Sequence, residues 1–246
     1  MDGQLKKKIE QFVETNIVGF HQARANNLAK LNLNDVLKAK NPYLFRARFL
    51  ETPEALMRAL LDARLSSSEE GMFGMFMEEL AVFVAGTTGN GQKSGVTGID
   101  IELTRGQTRY LIAVKSGRNW GNAAQHAALK KNFETAVRVL RQSKHAGEIQ
   151  PTLDICYGKF KTANNGVYLH IGGQSFWQLL SGEADLYMQM VEPLGYRAKE
   201  FNEAFEAEKA KVYGRMADEF RRTYCRTSGE IDWQKLVEFV SKNREA

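Results

Sequence analysis

A stretch of seventeen residues, 99–115, constrains the fold more than any other part of the chain. Ile99, Ile101 and Leu103 alternate with Asp100, Glu102 and Thr104. After Arg105-Gly106-Gln107, the residues Tyr110, Ile112 and Val114 alternate with Leu111, Ala113 and Lys115. Successive side chains of a strand leave opposite faces, so two alternating runs around a short polar turn predict a β-hairpin. With Gly106-Gln107 as a two-residue loop, Asp100 falls opposite Ala113, and Lys115 lies on the same face one pair away. That register gathers Ile99, Ile101, Leu103, Tyr110, Ile112 and Val114 on the opposite, core-facing side.

Helices surround this hairpin. Leu5, Ile9, Phe12, Val13, Ile17 and Phe20 recur at spacings of three and four, which predicts helix over residues 1–40, broken at Asn41-Pro42. A second helix, 52–65, is entered at Thr52-Pro53 with proline in the first helical position. The run Ser66-Ser67-Ser68-Glu69-Glu70 offers a new N-terminus with a capping box, Ser67 to Glu70. The third helix carries Phe73, Phe76, Leu80 and Phe83, stops near Gly86, and is followed by a loop over 87–98. Beyond the hairpin the pattern predicts a long helix, 122–142, with Leu129, Phe133, Ala136, Val137 and Leu140 as its apolar stripe. Strands follow over 153–157 and, shorter, over 167–171. From Ser175 the chain reads as helical, with Phe201, Phe205, Val212, Met216 and Phe220 as one stripe and a terminal helix over 231–240. The sequence contains no internal repeat.

The whole chain is 43% hydrophobic and 26% charged with 21 Gly and 4 Pro, which excludes collagenous, disordered and low-complexity classes. No uncharged apolar run reaches the roughly 18 residues of a membrane span, so no membrane association is expected. Cys156 and Cys225 form no CxxC pair, which argues against a disulfide scaffold or a zinc site. Lys6, Lys7 and Lys8 precede no apolar run, so no secretory leader is expected and a cytoplasmic location is the expectation. The net charge of +5 hides an uneven distribution. Residues 51–104 hold three basic and nine acidic groups, whereas residues 105–145 hold nine basic and one acidic. The plainer reading of the basic block is a solvated helix face. The sharper one is a polyanion contact surface, because a basic stripe neutralises phosphates and releases their counterions.

The order helix, hairpin with Asp then Lys, helix, strand resembles the skeleton of the PD-(D/E)xK nucleases. In that superfamily an Asp on one strand precedes an acid-x-Lys on the next, and this chain offers Gly98-Ile99-Asp100 and Ala113-Val114-Lys115. The run from Ala113 through Lys115-Ser116-Gly117-Arg118-Asn119-Trp120-Gly121 to Asn122, with Ser68-Glu69-Glu70-Gly71-Met72-Phe73-Gly74 and Asn41-Pro42-Tyr43 upstream, is similar to a subgroup of type II restriction endonucleases. The resemblance covers roughly residues 40–195. It implies an α+β restriction-endonuclease-like core, a mixed sheet flanked by helices, with additional N- and C-terminal helices. Three regions are expected: 1–66, helical, a candidate for dimerisation; 67–175, the nuclease core; and 176–246, helical and packed on the core.

The implied activity is Mg²⁺-dependent, sequence-specific cleavage of double-stranded DNA leaving 5′-phosphate and 3′-hydroxyl ends, with Mn²⁺ as a substitute ion. Phosphodiester hydrolysis needs charge neutralised on the phosphate and hydroxide supplied near neutral pH, and carboxylate-held Mg²⁺ does both. Asp100 would be the metal ligand and Lys115 would orient the attacking water. The pattern departs from the superfamily at Ala113, which stands where the second acid belongs and offers only its backbone carbonyl. Glu78 and Glu79, on the preceding helix, are the first candidates for a migrated acid, and Glu102, two residues beyond Asp100, is the next. Against each stands the plainer reading of an exposed surface acid. Ser116, Arg118, Asn119, Asn122 and Gln125, with Lys130 and Lys131 on the basic helix, are candidate DNA contacts. Arg138, Arg141 and Lys144 would add nonspecific attraction. Asn119 or Asn122 alternatively serves only as a helix cap. Trp120 and Trp177 read more readily as core aromatics than as base-stacking platforms.

His21, His126, His145 and His170 show no metal-ligand spacing, and the sequence holds no HExxH or GxSxG motif. Gly91-Gln92-Lys93-Ser94 imitates part of a P-loop but precedes a strand instead of opening a helix. A palindromic site calls for a two-fold dimer, placed by the apolar stripes on the terminal helices, and restriction implies a cognate DNA methyltransferase encoded nearby. Two rival readings of the same sequence are a structure-specific repair or junction-resolving nuclease, and a catalytically inactive DNA-binding module.

Overall fold

The computed structural model describes residues 3–88, 90–143 and 147–243; Lys144 and His145 lie outside them. Contacts divide the chain into two units, Met1–Val18 with Phe73–Tyr196 and Gly19–Met72 with Arg197–Ala246. The divisions fall inside long helices and after Tyr196.

The first unit holds a sheet of strands β1 (Gly91–Lys93), β2 (Ile101–Arg105), β3 (Thr108–Lys115), β4 (Glu148–Ile155), β5 (Ala163–Asn164) and β6 (Leu169–Gly172), in the order β1-β2-β3-β4-β6-β5. The β2–β3 hairpin has the register that a two-residue loop demands, Arg105 facing Thr108 and Ile101 facing Ile112. β3, β4 and β6 run parallel, and β1 and β5 close the two edges antiparallel. The architecture is thus α+β with a mixed sheet flanked by helices. The edge strands β1 and β5 are additional to the expected strands, and β4 begins five residues before the expected strand.

The single core-facing side expected for the hairpin is corrected, because both sides are covered. Ile101, Leu103, Ile112 and Val114 are buried on one face, and Leu111 and Ala113 are equally buried on the other. The second face packs under helix α5 (Ala123–Gln142) in a cluster that joins Leu111, Ala113, Leu153 and Ile155 to Leu129, Phe133 and Ala136. Burial on both faces is the normal state of strands in a parallel region, and it weakens the alternation that marks a half-buried strand. Ile99 also belongs to the α5 cluster. Gly98, at φ +77°, turns the chain just before β2, and a Cβ there would lie 2.2 Å from Asn132 Nδ2 of α5, so only glycine fits.

The N-terminal helices are α1 (Gly3–Lys30), α2 (Leu33–Lys38) and α3 (Pro42–Ala47). The helix expected over 1–40 is thus two, parted at Leu31-Asn32 and finished at Lys38, and Asn41-Pro42 starts the next: Asn41 Oδ1 accepts from the Tyr43 N–H at 3.0 Å, with proline in the first turn. The second and third expected helices are one, α4 (Pro53–Thr87). The Ser67 capping box does not form. Ser67 and Ser68 donate back to the carbonyls of Ala63 and Leu65 at 3.0 and 2.9 Å, and Glu69 pairs with Arg24 at 2.9 Å, so the serine run stays helical.

The short helices α6 (Gln174–Ser181), α7 (Leu186–Gln189) and α8 (Val191–Leu194) complete the first unit, and the second unit has its own core. Leu28, Val36, Phe45, Leu56 and Leu61 pack with Phe205, Val212, Met216 and Phe220 of helix α9 (Ala198–Tyr224) and Leu236 of helix α10 (Trp233–Ser241). Of the two terminal stripes expected to form a dimer face, the one on α9 has Phe205, Val212, Met216 and Phe220 buried within this unit. Among the described residues no helix is long and apolar enough to cross a membrane.

Candidate active site

The site is built where β2 starts and β3 ends. Asp100 stands one residue before β2; its N–H donates to the Ile112 carbonyl at 2.8 Å, and its own carbonyl accepts from the Ser94 N–H at 3.0 Å. Its carboxylate turns along the sheet and accepts from the Val114 N–H at 2.6 Å. One carboxylate oxygen is thereby fixed to the strand that carries Lys115, and the acid and the lysine are locked in register. Lys115, the last residue of β3, is half-buried, with its ammonium 5.5 Å from the centroid of the Trp120 ring.

Helix α4 supplies the third group. Gly74 and Glu78 are four residues apart and so share a face. A Cβ at Gly74 would lie 3.1 Å from Ser116 Oγ, which shows how closely that face approaches the residue after Lys115. Glu78 is half-buried one turn further along. Burial and then the neighbouring Asp100 charge raise its carboxyl above the ordinary range, while Lys115 and Lys93 act in the opposite direction. The structure thus brings Glu78, Asp100 and Lys115 together across sequence separations that the chain alone does not reveal.

The other acids do not join them. Glu79 points out and is exposed. Glu102 accepts from Ser94 Oγ at 2.9 Å and forms an ion pair with Arg109, so both its oxygens are engaged in holding β1 and β3 to β2. Ala113 is wholly buried under α5. Its carbonyl is also misdirected. Ile112 O and Val114 N–H both turn toward Asp100 and β2, whereas Lys115 O accepts from Cys156 N–H beside β4. Alternation then points the Ala113 carbonyl to β4 and leaves the Val114 carbonyl on the Asp100 side.

Among the described residues no three His, Cys, Asp or Glu side chains gather into a metal cage. Mg²⁺ does not require one: it keeps several waters and is commonly held by one or two carboxylates together with substrate phosphates. Two neighbouring carboxylates, one raised by burial and then by the charge of the other, are a donor set that a hard cation would stabilise. Glu78 and Asp100, with the Val114 carbonyl, fit that description.

The expected DNA contacts follow Lys115 along the loop into α5. Ser116 lies against α4, Arg118 is exposed with its guanidinium 5.5 Å from the Phe160 ring centroid, and Asn119 is exposed. Asn122 and Gln125 form a reciprocal capping box, Asn122 Oδ1 accepting from Gln125 N–H at 3.1 Å and Gln125 Oε1 from Asn122 N–H at 2.8 Å. Their oxygens are therefore committed to the helix start. Lys130, Lys131, Arg138 and Arg141 are exposed on α5. Trp177 is buried and its indole donates to the Cys156 carbonyl at 2.8 Å, a core role.

Sequence reasoning missed two features here. Asp154, which pairs in register with Val114, is fully buried with neither carboxyl oxygen hydrogen-bonded. Burial raises its carboxyl well above the ordinary range, and the nearby Thr152 hydroxyl offsets this only in part. Cys156, two residues on, is pushed up to about 12 by burial and by Asp154 and Glu78. The second is Lys93, on β1. The resemblance to a P-loop drew attention to its segment without assigning it a place.

Residues 7–202 match the model of one protein family, described as type II restriction endonuclease EcoO109I. Among curated proteins none matches the chain significantly.

Proposed function

The chain belongs to the EcoO109I family of type II restriction endonucleases, which makes it a nuclease that cuts DNA at specific sequences; from that premise we propose that it does so with a PD-(D/E)xK site whose second acid is Glu78. The observation that carries this reading is the Glu78 carboxyl beside Asp100 and Lys115, with its ionisation governed in part by both. Bound Mg²⁺ would supply charge neutralisation on the phosphate and a water of lowered pKa. Glu78 and Asp100 would hold the cation, and the hydrogen bond from Val114 fixes Asp100 for that task. Lys115 would orient the attacking water and stabilise charge on the phosphate oxygens, giving 5′-phosphate and 3′-hydroxyl ends. Mn²⁺ would substitute. The working form would be a homodimer, one site per strand, in a cytoplasmic restriction-modification system with a methyltransferase encoded nearby.

Digestion of unmethylated phage DNA tests this. The protein with Mg²⁺ should yield discrete fragments, and Asp100→Asn, Lys115→Ala and Glu78→Gln should each lower the rate at least about a hundredfold while binding in Ca²⁺ persists. A Glu78→Gln variant with undiminished rate removes the migrated acid. A smear or branch-specific nicking would favour a structure-specific nuclease, and binding without cleavage in either metal would leave an inactive DNA-binding module.

A further inference from the structure

The catalytic carboxylates are flanked by lysines from opposite faces of the sheet. Lys115 shares the face of Ala113 and Leu111, toward α5. Lys93 pairs with Ile101, which pairs with Ile112, so its side chain leaves the other face, the one that carries Val114 and Asp154. Its neighbour Ser94 donates to the Asp100 carbonyl at 3.0 Å, so β1 is tied to the residue that bears the metal-binding acid. The Lys93 side chain is exposed, and its ammonium makes no ion pair or hydrogen bond with any described residue. Its charge nevertheless reaches Glu78. Every other acid near this edge has an assigned partner: Glu102 is held by Arg109 and Ser94.

We propose that Lys93 is a DNA-positioning residue, whose ammonium contacts a phosphate of the strand being cut on the α4 side of the site, opposite Lys115. This rests on the nuclease reading above. An unpaired ammonium on a short edge strand, anchored through Ser94 to Asp100, has its position fixed by the sheet and its donors free. Three rotatable donors on a compact point charge suit a phosphate oxygen. A phosphate clamped between Lys93 and Lys115 would be centred over Glu78 and Asp100, which a lysine on one face alone does not achieve.

The test measures binding of the intact protein, in Ca²⁺, to a duplex carrying a site mapped from its own phage-DNA digest, across a range of KCl concentrations. Lys93→Ala should weaken binding about fivefold at moderate salt and lower the slope of log K against log salt by about 0.9 per bound chain. Lys93→Arg, which keeps the charge, should restore both, and Lys199→Ala, in the other unit, should change neither. An unchanged slope for Lys93→Ala, or an equal loss for Lys199→Ala, overturns the proposal. Failure of the unsubstituted protein to cut any DNA overturns the nuclease reading itself and is seen before any variant is made.

Discussion

Gly74→Ala separates site geometry from stability. The added methyl would sit 3.1 Å from Ser116 Oγ and 3.4 Å from Ser116 Cβ. Carbon contacts are comfortable at about 3.5–4.0 Å, so α4 or the Ser116 strand end must yield by a few tenths of an ångström. Alanine in a helix interior gains about 1 kcal/mol over glycine, and mild overpacking costs about the same. The two nearly cancel, so Tm should move by less than about 3 °C. Activity should not be spared. Gly74 and Glu78 share a face of α4, and Ser116 adjoins Lys115, so the displacement falls on the spacing between the proposed metal ligand and the lysine. Misplacement by about 1 Å costs on the order of a hundredfold, and half of that about tenfold. Single-turnover cleavage with Mg²⁺ should therefore slow about tenfold while binding in Ca²⁺ stays within about twofold. Ser116→Ala in the same chain removes the nearest atom and should recover most of the rate. An unaltered rate in Gly74→Ala, or a loss that Ser116→Ala does not relieve, would refute the reasoning.

The remaining predictions concern the core beneath the site. Asp154→Asn should stabilise the protein at pH 8 but not at pH 4: the folded-state carboxyl is raised, so its contribution is complete below the unfolded pKa and is lost as pH rises toward the folded one, at up to about 1.4 kcal/mol per pH unit. Thermal melts across that range should show a pH slope in the unsubstituted chain that is reduced in the variant, and parallel slopes would mean that Asp154 is charged in the fold. Ala113→Glu forces a carboxylate under α5 and should lower stability by at least about 3 kcal/mol, and it should not rescue Glu78→Gln. A stable, active double variant would show that the superfamily's usual acid position is still open. Trp177→Phe removes the 2.8 Å bond to the Cys156 carbonyl and should cost about 1–2 kcal/mol, read as a Tm drop of about 3–6 °C.

Much of the β2–β3 hairpin was legible in the sequence, because a strand's period and a two-residue turn are local. The alternation around Gly106-Gln107 set the register of Ile101 against Ile112 and placed Lys115 at the end of the second strand; Asp100 does not face Ala113 as expected, because its N–H bonds the Ile112 carbonyl and its carboxylate the Val114 N–H. The helix cap at Asn122 was legible for the same reason. Other local signals misled. Ser67 to Glu70 has the spacing of a capping box, yet serine hydroxyls that return to their own helix and an ion pair to Arg24 keep α4 continuous. The apolar stripe of α9 looked like a surface awaiting a partner and is covered by helices from the other end of the chain.

The sequence by itself determined a strand pair with an acid and a lysine at its open end, a basic helix following it, and a missing carboxylate at Ala113. Tertiary structure decided which acid lies near that gap. Glu78 precedes Asp100 by more than twenty residues on a different element, and only the packing of α4 against the end of β3, permitted by the absence of a side chain at Gly74, brings its carboxyl to the site. It also decided which acids are unavailable: Glu102 by its ion pair, Glu79 by its exposure, Ala113 by its burial and the direction of its carbonyl. Periodicity records which face of an element is apolar, whereas the identity of the element that covers that face depends on long-range packing that no local spacing encodes.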